Sequence, residues 1–268
     1  GVLVMGEVMA SRWAFEGYMV TQFKDNPFEE QFYELDKTIA LSDYKKVYYI
    51  PVLESKLTYC LNQRPNWRIT GNAELTEALN LLQNEIRSEL ALIGKELPDV
   101  DKLTVGEFDS TVWKNTADFL AVLKQFYTNR NSKAQEEKEA LIESLTNTPE
   151  KLEAYEEMRT RFQNKSIVDA VKNISTPNRI VEYNGRLWQG IFPIYQDEHK
   201  PKHFFDFSAN LYQPTKYFMG RTFDTLVFNL SVIWVMTMTL FILLYFDALR
   251  KVISFMERKR KYRTRDKA

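Results

Sequence analysis

Residues 226–246 read LVFNLSVIWVMTMTLFILLYF and contain no charged side chain. A helix of this length rises about 31 Å, which matches the hydrocarbon core of a bilayer. Nine Lys and Arg residues follow within residues 250–267, against three acidic residues at 247, 257 and 266. A basic flank marks the cytoplasmic end of a span. The sequence therefore predicts a transmembrane helix at 223–249, a cytoplasmic tail at 250–268 and an extracytoplasmic location for the residues before the span.

The zero net charge of the 268-residue chain conceals two oppositely charged parts. Nine of the 36 cations and three of the 36 anions follow residue 246, so residues 1–246 carry 27 cations and 33 anions. An acidic outer part and a basic inner tail argue against nucleic-acid binding, and such a tail is typical of a topology and lipid-headgroup signal. A mean hydropathy of −0.39 indicates one full span beside a soluble part that is large enough to bury a core.

Motifs that carry chemistry are sparse in this sequence. Cys60 is the only cysteine, which excludes an intramolecular disulfide and metal sites built from cysteine clusters. His199 and His203 are the only histidines. Pro201 separates them and no third ligand stands at a typical spacing, so we interpret them as part of a solvated loop. The sequence predicts no catalytic, cofactor-binding or metal-binding residue, and a membrane-tethered enzyme would need a metal at the two histidines.

The N-terminal residues are apolar but do not read as a signal peptide. Residues 1–9, GVLVMGEVM, lack a basic n-region and a small-residue cleavage pattern. We interpret them as the end of an earlier membrane span or a membrane-surface segment, with an ordinary buried strand or helix as the alternative. Residues 8–23 are predicted to form an interfacial helix begun by Ser11, because Trp and Tyr side chains favour the headgroup zone. Arg12 and Glu16 stand four apart and are expected to pair and tether this helix.

Residues 24–222 are predicted to form a mainly helical extracytoplasmic domain. Apolar spacings of three and four predict one helix at 72–94, ended by Gly94, and another at 111–129. Residues 132–145 are charged and are assigned to a separate helix, which forms the outermost hairpin with the helix that follows. Further helices are expected at 30–41, 49–61 and 164–173. Together these segments predict an antiparallel helical bundle.

Several local signals predict where elements begin or turn. Thr148 followed by Pro149 and Glu150 is typical of a helix start, with a capping side chain and a proline at the first position. Asn184 and Gly185 stand between two apolar runs, a pattern that predicts a β-hairpin. Asp224 is placed to cap the transmembrane helix.

Polar side chains within the span require partners. Asn229 and Thr237 are eight residues apart and lie close to one face of the predicted helix. Because polar groups in lipid need hydrogen-bond partners, we expect this face to meet another helix. A packing contact between helices is the favoured interpretation, and a substrate-pathway role for Asn229 is the alternative.

Residues 11–17, SRWAFEG, include Arg12, Trp13 and Glu16 and carry a resemblance to a known family. They resemble the segment after the fifth membrane helix in permeases of the G subfamily of ATP-binding cassette transporters, where a re-entrant interfacial helix has a similar sequence. The order and polarity of residues 223–262 resemble the last span and basic tail of that family. The full pattern is similar to large bacterial members from Bacteroidetes, whose external loop is enlarged. The insertion at 70–175 departs from the eukaryotic pattern.

The resemblance implies the C-terminal permease portion of an ATP-driven transporter. It implies a dimer in a bacterial inner membrane that is multi-pass in the full-length protein, with the bulk of this chain periplasmic. ATP and magnesium are expected in a nucleotide-binding part upstream, because no nucleotide-binding motif stands in this sequence. The outer domain would cap the exit side or dock an envelope protein. The alternative is a single-span protein whose outer helical bundle senses a ligand or scaffolds a complex.

Overall fold

A computed structural model describes residues 6, 8–63, 73–94, 96–97, 99–196 and 210–247. The fold is mainly helical, with two small antiparallel strand pairs, as the sequence predicts. The chain divides into two units, one made of residues 1–21 and 198–268 and the other of residues 22–197. The basic tail, residues 197–209 with both histidines, and the cap position Asn72 lie outside the described residues.

The elements follow in chain order. The α-helices are α1 (Ala10–Lys24), α2 (Tyr33–Tyr44), α3 (Ile50–Gln63), α4 (Ala73–Ile93), α5 (Ser110–Thr146), α6 (Pro149–Phe162), α7 (Lys165–Lys172) and α8 (Thr225–Tyr245). The strands are β1 (Ile180–Tyr183), β2 (Arg186–Gln189), β3 (Thr215–Phe218) and β4 (Arg221–Asp224). A π-helix at Lys45–Tyr49 joins α2 to α3, and 3-10 turns lie at Glu29–Gln31, Val100–Lys102 and Pro193–Tyr195.

The unit of residues 22–197 is built around a helical core. Helix α3 packs against α4 and α5, and α2 packs against α5. The apolar faces predicted by spacing are buried here, with Leu79 and Leu82 of α4 and Leu120 and Leu123 of α5 almost inaccessible to solvent. Gly94 follows α4 with φ of 64°, the left-handed conformation that ends many helices and that glycine adopts without strain. The predicted end of this helix is confirmed.

Helix α5 is one continuous helix where the sequence analysis placed two. Its 37 residues run through 130–131, where a break was expected. Asn131 is buried, and its amide donates to the carbonyl of Ile39 at 3.1 Å while its oxygen accepts from Gln135 at 2.8 Å. These contacts satisfy the polar side chain, which otherwise disfavours a helix interior by bonding to nearby backbone. The π-helix likewise joins the two helices expected at 30–41 and 49–61.

The local start signals are confirmed. The hydroxyl of Thr148 accepts a hydrogen bond from the Lys151 N–H at 3.3 Å, and Pro149 takes the first helical position. Asp224 accepts from the Leu226 N–H at 2.9 Å and so caps α8. Helix α8 is long and apolar enough to cross a membrane, and 6% of its most apolar stretch is buried.

Both strand pairs close through two-residue turns with left-handed backbone. In the first, the strand pairing confirms the predicted hairpin. Asn184 and Gly185 have φ of 51° and 64°, as in a type I′ turn. In the second, Met219 and Gly220 have φ of 49° and 81°. This hairpin was not predicted from the sequence, because methionine is not a residue that signals a left-handed turn position.

Candidate functional site

Helix α1 carries three residues of the 11–17 segment on one face. Trp13, Glu16 and Gly17 are spaced three and four apart, so they lie side by side on a helix. All three are buried, and Glu16 has 0% of its surface exposed. A fully buried carboxylate requires hydrogen bonds and a compensating charge. The groups that supply them define a site within the first unit.

The Glu16 carboxylate accepts hydrogen bonds from three stretches of chain. Its Oε1 lies 2.5 Å from Nζ of Lys216 on β3 and 2.9 Å from the backbone nitrogen of Tyr212. Its Oε2 lies 3.3 Å from Nδ2 of Asn229 on α8. Glu16 therefore joins α1, the segment before β3, β3 itself and the first turns of α8.

Lys216 supplies the positive charge from a short strand. Side chains alternate along β3, and Lys216 is the fully buried position of its four residues. Besides Glu16, its ammonium donates to the carbonyl of Asn210. These two acceptors stabilise a charge that burial alone would strongly disfavour.

Asn229 fastens α8 to the backbone of α1. Its Nδ2 donates to the Trp13 carbonyl at 2.9 Å, and the ring centroids of Trp13 and Phe228 are 6.1 Å apart. A Cβ placed on Gly17 would lie 3.5 Å from Leu226 Cδ1. The two helices are thus in contact at Gly17, a small residue of the kind found where membrane helices approach closely.

The base of the β3–β4 hairpin is tied to the start of α8. The Thr225 hydroxyl donates to the Gln213 carbonyl at 2.6 Å, and the Thr225 N–H donates to the Pro214 carbonyl at 3.2 Å.

Burial, together with the Glu16 carboxylate, raises the pKa of the Tyr212 phenol above its ordinary value. The arrangement is a set of hydrogen bonds around one ion pair, in which the Asn229 amide nitrogen takes part while its Oδ1 is buried without a hydrogen-bond partner among the described residues. Contacts of this kind suit the site to holding segments together.

The structure brings together three of the five residues that the sequence singled out. Trp13, Glu16 and Asn229 meet, whereas the guanidinium of Arg12 lies 4.3 Å from the Trp13 ring centroid. The ion pair of Glu16 is formed with Lys216, a partner that the sequence analysis missed. Thr237 is exposed and donates to the Ile233 carbonyl of its own helix at 2.9 Å. The only available signal for Lys216 was the strand alternation in a short run that ends at Met219–Gly220.

A second buried polar network lies in the unit of residues 22–197. Glu89 pairs with Lys45 of the π-helix and accepts from the Tyr127 hydroxyl at 2.7 Å. Glu85, one turn earlier on α4, accepts from the Tyr49 hydroxyl at 2.8 Å and from the Leu187 N–H of β2 at 3.1 Å. These bonds fix the helices and the first hairpin in one arrangement.

Within the ranges that the structure describes, no three His, Cys, Asp or Glu side chains are placed to hold a metal ion. His199 and His203 are not among the described residues. Comparison with known proteins finds no matching protein family, no matching curated protein and no matching solved structure.

Proposed function

We propose that this chain is the C-terminal permease portion of an ATP-driven transporter of the kind that residues 11–17 resemble. Residues 24–222 would form an enlarged extracytoplasmic loop that caps the exit side or docks an envelope protein. The observation that supports this proposal is the position of the segment carrying the resemblance. Trp13, Glu16 and Gly17 of that segment all lie against α8.

These contacts match what a transporter would require of such a segment. A re-entrant helix at the membrane surface has to be fixed to the last span, and Glu16, Trp13 and Gly17 provide an ion pair, a hydrogen bond and a close approach. A helix that serves only as an anchor needs length and apolarity, and it has no need of a buried ion pair with a distant segment. The geometry therefore favours α8 as one member of a larger membrane bundle.

The remaining parts of the proposal follow from the family. ATP and magnesium would bind in an upstream nucleotide-binding part, and the residues of this chain would move or hold the substrate pathway without ATP chemistry of their own. The full-length protein would be a multi-pass homodimer in a bacterial inner membrane. Its external loop would be periplasmic and its C-terminus cytoplasmic, in line with the basic residues after 249.

The coding sequence upstream of Gly1 gives the first test. The transporter proposal expects a phosphate-binding loop and five further spans there. A start codon and a signal anchor immediately before Gly1 would overturn it in favour of a single-span sensor or scaffold. That rival draws support from the outer unit, which has its own helical core and polar network.

A functional test compares variants of the full-length protein in proteoliposomes. Lys216→Met removes the cation of the buried pair, whereas Lys133→Met removes a cation whose side chain is 78% exposed. We expect Lys216→Met to lower ATP hydrolysis and its coupling to transport, and Lys133→Met to leave both unchanged. Absence of ATP hydrolysis in the unmodified full-length protein would overturn the proposal.

A further inference from the structure

The two hairpins have the same turn backbone but opposite turn chemistry. Asn184–Gly185 uses the residues that type I′ turns favour, since asparagine and glycine accept positive φ. Met219–Gly220 places a long apolar side chain at φ of 49°, a conformation that costs energy for most side chains. Backbone strain at a single position is often associated with a function of that residue.

The side chains at the second turn are exposed to solvent. Met219 is 47% exposed and the preceding Phe218 is 43% exposed. Turns that face water usually carry Asn, Asp, Ser or Gly. An apolar pair at a strained tip is therefore unfavourable in water and calls for an apolar environment.

The tip lies beside the first turn of α8. The ring centroid of Phe218 is 6.1 Å from that of Phe228, and Phe223 of β4 is 6.4 Å from Phe228. Phe228 stands three residues after Thr225, where α8 begins. The hairpin thus folds along the entry of the apolar helix, and the exposed tip is continuous with the helix surface.

Hydrogen bonds at the base of the β3–β4 hairpin position its tip. Lys216 is tied to Glu16, and Gln213 is tied to Thr225. Arg221 stands directly opposite Phe218 in the strand register and is exposed. Aromatic and basic side chains together are typical of the boundary between headgroups and acyl chains.

We propose that the Phe218–Met219 tip is a membrane wedge, which inserts into the headgroup–acyl boundary of a phospholipid bilayer at the extracytoplasmic end of α8. Arg221 would lie at the level of the lipid phosphates. The inference rests on the proposed function only in that α8 crosses a membrane. The strained turn is then stabilised by burial of Met219 in lipid.

Depth measurement by spin labelling tests the wedge. The chain is placed in nanodiscs of phosphatidylethanolamine and phosphatidylglycerol, and a nitroxide is attached to Met219→Cys. The native Cys60 is fully buried, and burial raises the pKa of its thiol to about 11, so it will not react at neutral pH. Collision rates with oxygen and with a water-soluble nickel chelate report depth against lipids labelled at known positions.

Two further labels make the outcomes distinguishable. Asn184→Cys places the same nitroxide on the matched turn, and Val235→Cys, at a residue 65% exposed, places it within α8. We expect the depth of the label at 219 to lie between those of lipids labelled at the headgroup and at the upper acyl chain. Its ratio of oxygen to nickel-chelate collision rates should be several-fold higher than that of a label in water. If the label at 235 lies deep in the bilayer while the label at 219 lies in water, the wedge alone is overturned. A water reading at 235 overturns the span and the wedge together.

A second measurement avoids a label on a strained turn. Met219→Trp adds one tryptophan to the five in the chain. The fluorescence of the added tryptophan is obtained by subtracting the fluorescence of the unmodified protein. Lipids brominated near the headgroup–acyl boundary should quench that added emission severalfold more than lipids brominated near the chain ends. Equal emission with and without bromine overturns the wedge, provided that thermal unfolding shows both proteins folded.

Discussion

Glu16 and Lys216 form an ion pair across 2.5 Å, and both side chains are 0% exposed. They stand 200 residues apart in sequence. A buried pair of this kind gains little over apolar residues of the same shape, but loss of one partner leaves the other charge buried and uncompensated. Burial of each charge therefore depends on the presence of the other, which couples the packing of α1 to that of the β3–β4 hairpin.

Removal of one charge should destabilise this unit more than removal of both. Lys216→Met leaves the Glu16 carboxylate buried without its cation and should lower the free energy of unfolding by about 3–5 kcal/mol. In Glu16→Gln/Lys216→Met no charge remains, and the amide still accepts from the Tyr212 N–H, so part of the loss should be recovered. Thermal unfolding of the chain in detergent measures both, with Lys133→Met as the exposed control. Equal losses in the single and double variants would contradict this account.

Gly17 offers a test of the contact between α1 and α8. A Cβ at this position would lie 3.5 Å from Leu226 Cδ1, which is ordinary contact, so Gly17→Ala should fit. It should also stabilise the helix by up to about 1 kcal/mol. Gly17→Leu has to place further atoms between the helices and should cost about 1–3 kcal/mol.

Ala14 supplies the matched control for Gly17, because it lies on the exposed face of the same helix. Ala14→Leu should leave the melting temperature in detergent nearly unchanged. A Gly17→Leu variant as stable as Ala14→Leu would mean that the helices do not approach at Gly17.

The confirmed sequence predictions share one property, which is that their cause is local. Asp224 caps the Leu226 N–H two residues away, and Asn184–Gly185 fixes its turn by its own backbone preference. Gly94 likewise ends α4 through a single φ value. Each signal lies within a few residues of its effect, so the sequence alone was sufficient.

Two of the missed features, the burial of Lys216 and the continuity of α5, depend on partners that are remote in sequence. Lys216 can be buried because its ammonium pairs with Glu16 and donates to the Asn210 carbonyl. No local sequence pattern predicts the pairing with Glu16. The break expected after residue 129 fails because Ile39 satisfies Asn131. Asn229 was expected to need a helix partner and its partner proves to be α1, whereas Thr237 bonds within its own helix.

Tyr127 should contribute to stability through its bond to a buried charge. Its hydroxyl donates to Glu89 Oε2 at 2.7 Å, and a hydrogen bond to a charged group contributes about 1.5–3 kcal/mol. Tyr127→Phe should therefore lower the free energy of unfolding of the unit of residues 22–197 by about that amount. Tyr183→Phe provides the control, because Tyr183 is 63% exposed. Chemical denaturation followed by circular dichroism should separate the two, and equal stability of both variants would contradict the role of the bond.

The buried tyrosines also predict how the unit of residues 22–197 responds to alkali. Burial is the largest cause that raises the pKa of Tyr49, and the negative charges of Glu89 and Glu85 raise it further. Burial, followed by the charge of Glu89, also raises the pKa of Tyr127. An unfolded tyrosine titrates near a pKa of about 10. Because the folded pKa values are higher, the unfolded chain loses these protons first. The associated stability is fully present below about pH 10 and is lost as pH rises above it.

A spectrophotometric titration at the tyrosinate band measures this response. The reference is a tyrosine in an unfolded chain, which ionises with a pKa of about 10. Tyr49 and Tyr127 should ionise only at higher pH, together with loss of helical circular dichroism, because their phenolates cannot form while Glu85 and Glu89 accept the phenol protons as hydrogen bonds. In Tyr127→Phe the stability should depend less steeply on pH above 10, since one raised pKa is gone. Ionisation of all 14 tyrosines in one reversible step, with the helices intact, would show that neither phenol is held by these carboxylates.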